Sequence, residues 1–273
     1  MFTPQRSETM VGSAFTTLEL IYHNTVRSVR KGHENAFISL LNNIVQSLIL
    51  VGVFYFMFDI LGMRGSAIRG DFLLFIMSGI FLFMTHTKTM SAVVSSEGPA
   101  SPMMNHLPMN TAIAIASAAV GALYIQVLSV VAILGVYAAG WGPLAIEEPA
   151  GAFGMLLLAW FSGLAVGLVF LGLKPWFPGF VSIGTSIYAR ANMIASGKMF
   201  VANAMPAYML ALFDWNPLFH VIDQSRGFAF INYNPHYSSW SYALYVSLAL
   251  AMIGLMGEFY TRRHASISWQ ARR

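Results

Sequence analysis

Six stretches of this chain are each long and apolar enough to cross a lipid bilayer, and no other feature limits the fold as much. They cover residues 37–61, 72–94, 111–137, 152–173, 180–202 and 239–258. A helix needs about 20 consecutive apolar residues to span the hydrocarbon core, and each stretch reaches that length. None shows the polar face of a soluble helix or the period-two alternation of a membrane strand, so helices are expected and a barrel is not. Composition points the same way. Hydrophobic residues make up 57% of the chain and charged residues 10%, against about 25% charged in an average soluble domain. A soluble fold with so few charges would present a mostly apolar exterior. A soluble enzyme, a nucleic-acid binder and a disordered chain are therefore excluded as first readings. The net charge of +4 fits membrane topology better than a nucleic-acid partner. There is no cysteine, so neither disulfides nor cysteine-ligated metals are expected.

The segment before the first span is polar, and no cleavable signal peptide is expected there. Val11, Ala14, Phe15, Leu18, Ile21, Tyr22, Val26 and Val29 recur at helical spacing, with Thr16, Glu19, His23, Asn24, Arg27 and Arg30 opposite them. The pattern predicts an amphipathic helix over residues 11–35, lying in the headgroup plane. A helix docked on a soluble partner is the alternative. The span that follows at once, with Arg27, Arg30 and Lys31 at the junction, favours the membrane surface.

Cations set the expected orientation. Arg6, Arg27, Arg30 and Lys31 precede the first span, and Arg262, Arg263, Arg272 and Arg273 follow the last. Six spans put both ends on one side, and the positive-inside rule makes that side cytoplasmic. The loop between the third and fourth spans, then external, carries Glu147 and Glu148 and no cation. Arg64 and Arg69 are external exceptions, offset by Asp59 and Asp71. Ala114, Ala118 and Ala122 recur every four residues, as do Gly163 and Gly167. Such spacing permits close helix packing, either inside the bundle or between two copies.

No phosphate-binding glycine loop, nucleophile elbow or metal-type histidine spacing is present, and the seven histidines are scattered. No catalytic group, metal or cofactor is expected in this chain. Three cations lie in or near spans. Lys88 sits late in the second span, where its stem can snorkel to the surface. Arg190 falls about 15 Å into the fifth span, and Lys198 follows eight residues later. A charge at that depth commonly faces a water-filled or protein-lined path. Two positive charges there would favour an anionic passenger. A buried carbonyl partner, or a later start to the span, would account for Arg190 equally well.

Two connecting segments carry more information. Residues 95–108 hold Glu97, prolines 99, 102 and 108, and the apolar side chains Met103, Met104 and Leu107. A loop so punctuated, with adaptable methionines, suits docking to a soluble partner. Before the last span, residues 203–230 include Pro206, an apolar run too short to cross, and then Asn216-Pro217-Leu218-Phe219-His220-Val221-Ile222-Asp223-Gln224-Ser225-Arg226. Asn216 caps a helix well and Pro217 suits its first position. His220, Asp223 and Arg226 follow at three-residue steps, which predicts a shared face and mutual hydrogen bonds. Two short helices broken at 214–216 would dip into the membrane from outside and return, which is tolerated only against protein or a cavity.

These residues resemble a known family, the permease subunits of ABC transporters that export polysaccharides of the capsule and O-antigen class. The resemblance covers nearly the whole chain. Its most specific part is a Pro…Asn-Pro-Leu-x-His-x-Ile/Leu-acid-x-x-Arg pattern, falling on Pro206, Asn216, Pro217, Leu218, His220, Ile222, Asp223 and Arg226. The loop after the second span departs from the family's Glu-x-Asn form, since Gly98 and Pro99 follow Glu97.

The resemblance implies an all-α membrane protein forming a single transmembrane domain over residues 1–273. It would have six transmembrane helices, an N-terminal amphipathic interfacial helix and a re-entrant helical hairpin before the last span. It implies a bacterial inner-membrane protein with cytoplasmic termini that pairs with a second copy of itself. Two ATP-binding subunits, which would carry ATP and Mg, would be engaged through Glu97, Met103, Met104 and Leu107. A lipid-linked glycan would be the substrate, and periplasmic export proteins further partners. Arg190, Lys198, Tyr55 and Tyr188 are candidates for the substrate path, alongside Phe54, Phe56 and Phe200. An ABC permease for a drug, a lipid or teichoic acid is the nearest alternative, and a secondary transporter or a membrane-embedded transferase is more remote.

Overall fold

The structure is a computed structural model that describes residues 10–31, 36–62, 71–96 and 111–264, and among these every regular element is a helix. In chain order they are α1 (Met10–Lys31), α2 (Ala36–Ile60), α3 (Phe72–Val94), α4 (Thr111–Gly140), α5 (Pro149–Leu173), α6 (Pro178–Ala195), α7 (Ala207–Leu210), α8 (Pro217–Ala229) and α9 (Trp240–His264). Among the described residues, five helices are long and apolar enough to cross a membrane: α3, α4, α5, α9 and residues 37–60 of α2. At a rise of about 1.5 Å per residue each exceeds the ~30 Å of a hydrocarbon core. The chain thus has multi-span transmembrane character.

Helix ends differ from the expected spans where local chemistry extends or stops a helix. α5 starts at Pro149, because proline suits a first helical position and its missing N–H is not needed there. α9 runs on to His264, with Arg262, Arg263 and His264 in its last turn, where cations meet the negative end of the helix dipole. The largest difference is α6. It carries Ser182, Thr185, Ser186, Arg190 and Asn192 and stops at Ala195, although the sequence predicts a span to residue 202. Gly197 has a φ of +72° just past that end, the left-handed position that commonly terminates a helix.

Successive long helices run in opposite directions. The basal end of the bundle is defined here as the one holding the C-termini of α3, α5 and α9, and the apical end as the opposite one. α3 and α5 form the centre. α3 packs on α2, α4, α5 and α8, and α5 packs also on α9 and α8. The larger apolar core joins Ile76, Ile80 and Leu82 of α3 to Leu158 and Ala159 of α5 and to Leu218, Val221 and Ile222 of α8. A smaller one near the basal end holds Val93, Ile115, Ala165, Leu168 and Ala251. The glycine stripe of α5 is used within the chain. A Cβ at Gly163 would sit 2.3 Å from the His86 carbonyl oxygen, and one at Gly167 would sit 2.8 Å from Val93 Cβ. Those glycines let α3 and α5 approach closely, as small-residue spacing does in membrane bundles.

Large apolar side chains cover the outside, including Val45, Ile49 and Val53 of α2 and Tyr245, Met252 and Met256 of α9. α1 lies against α4, where Ser117 Oγ donates to the Ile21 carbonyl at 3.2 Å. Phe15, Leu18 and Tyr22 on α1 stay exposed.

Candidate functional site

α8 is where the sequence pattern becomes a built site. Asn216 precedes it with extended backbone, and its Oδ1 accepts from the Leu218 N–H at 3.0 Å. That satisfies one orphan donor of the first turn. The other side of the same amide reaches away from α8. Asn216 Nδ2 donates to Asn192 Oδ1 and to the Ala195 carbonyl, both at 2.9 Å. One side chain therefore starts α8 and receives the last turn of α6.

Arg226 completes the join from the far end of α8. Its Nη1 donates to the carbonyls of Gly197 at 3.0 Å and Phe200 at 2.6 Å, and its Nη2 donates to that of Lys198 at 2.6 Å. The guanidinium lies 4.1 Å from the centroid of Phe75 and is 1% exposed. The irregular backbone after α6 leaves carbonyls without helical partners, and buried carbonyls need donors. A planar fork with five N–H donors supplies them where an ammonium could not. Burial pulls the guanidinium down to about 10, with the nearby Asp223 opposing, so it stays charged at neutral pH. The close fit extends to Gly79 of α3, where a Cβ would lie 2.8 Å from Lys198 Cβ and 2.9 Å from Arg226 Nη2.

The predicted mutual bonding of His220, Asp223 and Arg226 does not occur; each is engaged elsewhere. His220 Nδ1 accepts from the Ser239 N–H at 3.1 Å, so its Nε2–H donates to the Asp214 carbonyl. That pair of contacts requires the neutral ring, and burial accordingly pushes its pKa below the usual histidine value. Asp223 accepts from the Tyr233 hydroxyl and from Ser238 Oγ, the latter at 2.6 Å. Burial, reinforced by Asp223, raises the Tyr233 phenol far above its ordinary range. The three motif side chains thus tie α8 to the Asp214 turn, to the start of α9 and to the break after α6. Pro206 is exposed and precedes α7, which has only four residues.

The candidate path residues separate into different surroundings. Arg190 is exposed on α6. Because α6 ends at Ala195, Lys198 lies off the helix that carries Arg190. Lys198 is 2% exposed, with its Nζ 3.7 Å from the centroid of Phe83 and 4.7 Å from that of Phe54. Tyr55 stays on α2, edge-on to Phe56. Tyr188 of α6 is 3.0 Å from His86 Nε2 of α3, whose Nδ1 is 2.8 Å from Ser162 Oγ of α5. That buried relay holds α6 against the central pair. Lys88 contacts Gln46 on α2.

Glu97, Met103, Met104 and Leu107 lie outside the described residues, but both flanks of their segment are visible. Lys174, in the turn after α5, donates to the Val94 carbonyl at 2.7 Å. Thr111 Oγ1, at the start of α4, donates to Glu258 of α9 at 2.6 Å. Trp176 Nε1 donates to Thr261 Oγ1 at 3.0 Å, and Thr261 Oγ1 to the Gly172 carbonyl at 3.1 Å. The end of α3 and the start of α4, which flank that segment, therefore both sit on a bonded basal platform shared with α5 and α9.

Sequence reasoning missed Asn192, Tyr233, Ser238, Ser239, His86 and Ser162. His86, Ser162 and Asn192 were findable as polar residues inside apolar runs, which need partners; Tyr233, Ser238 and Ser239 sit in loop contexts with no such signal. Among the described residues no group of three or more His, Asp or Glu side chains could hold a metal ion. No protein-family model matches this chain, and no curated protein does.

Proposed function

We propose that this chain is the membrane-spanning permease subunit of an ATP-driven exporter that moves a lipid-linked polysaccharide outward across a bacterial inner membrane. The observation that carries the reading is α8. A short inserted helix bearing the Asn-Pro-Leu-x-His-x-Ile-Asp-x-x-Arg pattern has its polar side chains directed to holding a chain break inside a multi-span bundle. In this reading α6 is the fifth of six spans and α9 the last, with α7–α8 the re-entrant hairpin between them, the apical end outside and both termini cytoplasmic. α1 lies in the inner leaflet's headgroup plane with Phe15, Leu18 and Tyr22 toward lipid, as amphipathic surface helices do. Residues 97–110 would receive an ATP-binding subunit, and the platform beneath them supports that role, since force applied there passes directly to four helices. Two copies would enclose the path, and each would contribute no ATP chemistry of its own.

The test is reconstitution of the full chain in proteoliposomes with and without its co-expressed ATP-binding subunit. ATP-dependent export of a lipid-linked glycan, absent when either protein is omitted, is the expected result. Export that survives ATP depletion and collapses with the ion gradient would refute the reading.

A further inference from the structure

A cavity of about 240 Å³ with mixed polar and apolar walls lies between α1, α2, α3 and α4, apart from the α8 site. Asn43, Gln46, Lys88 and Gln126 line it, with Ala122 and Ile125 among its apolar walls. Its hydrogen bonds are unbalanced in one direction. Asn43 Nδ2 donates to Gln126 Oε1 at 2.9 Å and to Ser129 Oγ at 2.8 Å. Gln46 Nε2 donates to Asn42 Oδ1 at 3.2 Å, and Lys88 donates to Gln46 Oε1. The amide oxygens of Asn42, Gln46 and Gln126 therefore all accept. Gln126 Nε2, on a residue 1% exposed, has no partner. An ammonium has three donors, and the Gln46 contact uses one of those on Lys88. Donors are left over, one group is cationic, and no carboxylate is among the lining residues. Such a lining favours an acceptor-rich anion, and the Lys88 ammonium repels a second, cationic group on the ligand.

Position narrows the ligand further. Lys88 lies about 9 Å from the basal end of α3, and Asn43 about 10 Å from that of α2. For helices of 23 and 25 residues centred on a ~30 Å core, that is about 7 Å inside the acyl region, a depth from which the Lys88 stem reaches the headgroups. Asn42 and Gln46 face outward from the chain, and Val29 of α1 lines the cavity beside them. We infer that this cavity binds the phosphodiester of an anionic membrane phospholipid, with Lys88 and Gln126 Nε2 as its donors. The inference needs only that the chain sits in a bilayer and does not depend on the export reading.

The experiment uses the full chain exchanged into nanodiscs of equal dioleoyl-phosphatidylglycerol and dioleoyl-phosphatidylethanolamine, followed by native mass spectrometry of retained lipid. Phosphatidylglycerol should be retained over phosphatidylethanolamine by about tenfold or more, a difference of ~1.4 kcal/mol. Lys88→Met and Gln126→Leu should each abolish the preference, while Lys88→Arg keeps it. Should either variant fail to fold, Gln46→Glu decides: it matches the glutamine in shape, sets a carboxylate beside Lys88 and should also remove the preference. Equal retention of the two lipids by the wild type, or an unchanged preference in these variants, overturns the inference. Displacement of the bound phosphatidylglycerol by millimolar inorganic phosphate overturns the lipid assignment, because the cavity would then be a free-anion site.

Discussion

Replacing Arg226 by lysine keeps the positive charge and removes the planar fork, so it isolates what the geometry contributes. The guanidinium makes three hydrogen bonds to the carbonyls of Gly197, Lys198 and Phe200. A single ammonium can keep one of these in good geometry, which loses two. A hydrogen bond to a charged group contributes about 1.5–3 kcal/mol, so the low end gives ~3 kcal/mol for the pair. That is about a 150-fold change in an opening equilibrium. The cost falls on the break after α6 rather than on the whole bundle, because α3 and α5 keep their own packing. Local opening of this kind is read by amide hydrogen exchange. Exchange measured by mass spectrometry on the purified chain should show protection across residues 196–206 falling about 100-fold in Arg226→Lys, with α5 unchanged. Arg226→Met, which leaves all three carbonyls without this donor, should lose more. If lysine preserves protection of that segment within about threefold, a charge alone closes the break, and the reasoning from fork geometry fails.

Gly79→Ala should destabilise by about 1–3 kcal/mol in a denaturant titration, because the new Cβ would meet the Lys198 backbone at 2.9 Å. Gly52→Ala, with nothing within 4 Å of its Cβ, should be neutral on packing grounds. Tyr233→Phe should cost about 1–3 kcal/mol, since Asp223 loses one of its two donors. Because the folded-state pKa of Tyr233 is raised, its contribution is complete below the usual tyrosine value of about 10 and is lost as pH rises beyond it; Tyr233→Phe should flatten that alkaline limb. His220 has the opposite sign. Its folded pKa is depressed, so its contribution is present above the unfolded value of about 6.5 and declines as pH falls below it. Protonation also sets an Nδ1–H against the Ser239 N–H. Acidification from pH ~7 to ~5 should therefore loosen the start of α9, seen as faster exchange at residues 238–241, and His220→Gln should remove that acid dependence.

Much of the bundle was legible because hydrocarbon length leaves few options. Five of the predicted stretches became helices whose ends moved by only a few residues, at Pro149 and at the Arg262–His264 turn for local reasons. The early stop of α6 was less visible, since residues 196–202 look apolar and only Gly197 marks the end. The Asn216 cap and Pro217 start could be read directly, because both depend on neighbouring backbone. The partners of His220, Asp223 and Arg226 could not. Each three-residue step turns the helix by about 60°, so these side chains point progressively apart, toward loop carbonyls and toward Tyr233 and Ser238. Contacts to carbonyls tens of residues away leave no periodic trace in a sequence. The cavity beside α1 was hidden for a related reason: Asn43, Lys88 and Gln126 each look like an isolated exception until three helices bring them together.

The two anchors at the basal end have a mechanical consequence. Lys174 pins Val94, the last residue of α3, to the α5–α6 turn, and Glu258 pins Thr111, the first residue of α4, to α9. The end of α3 and the start of α4 are thus held by two separate struts, one leading into α6 through its turn and the other into the last helix. Cutting one strut, with Lys174→Met or Glu258→Leu, releases the end of one helix while the other stays held.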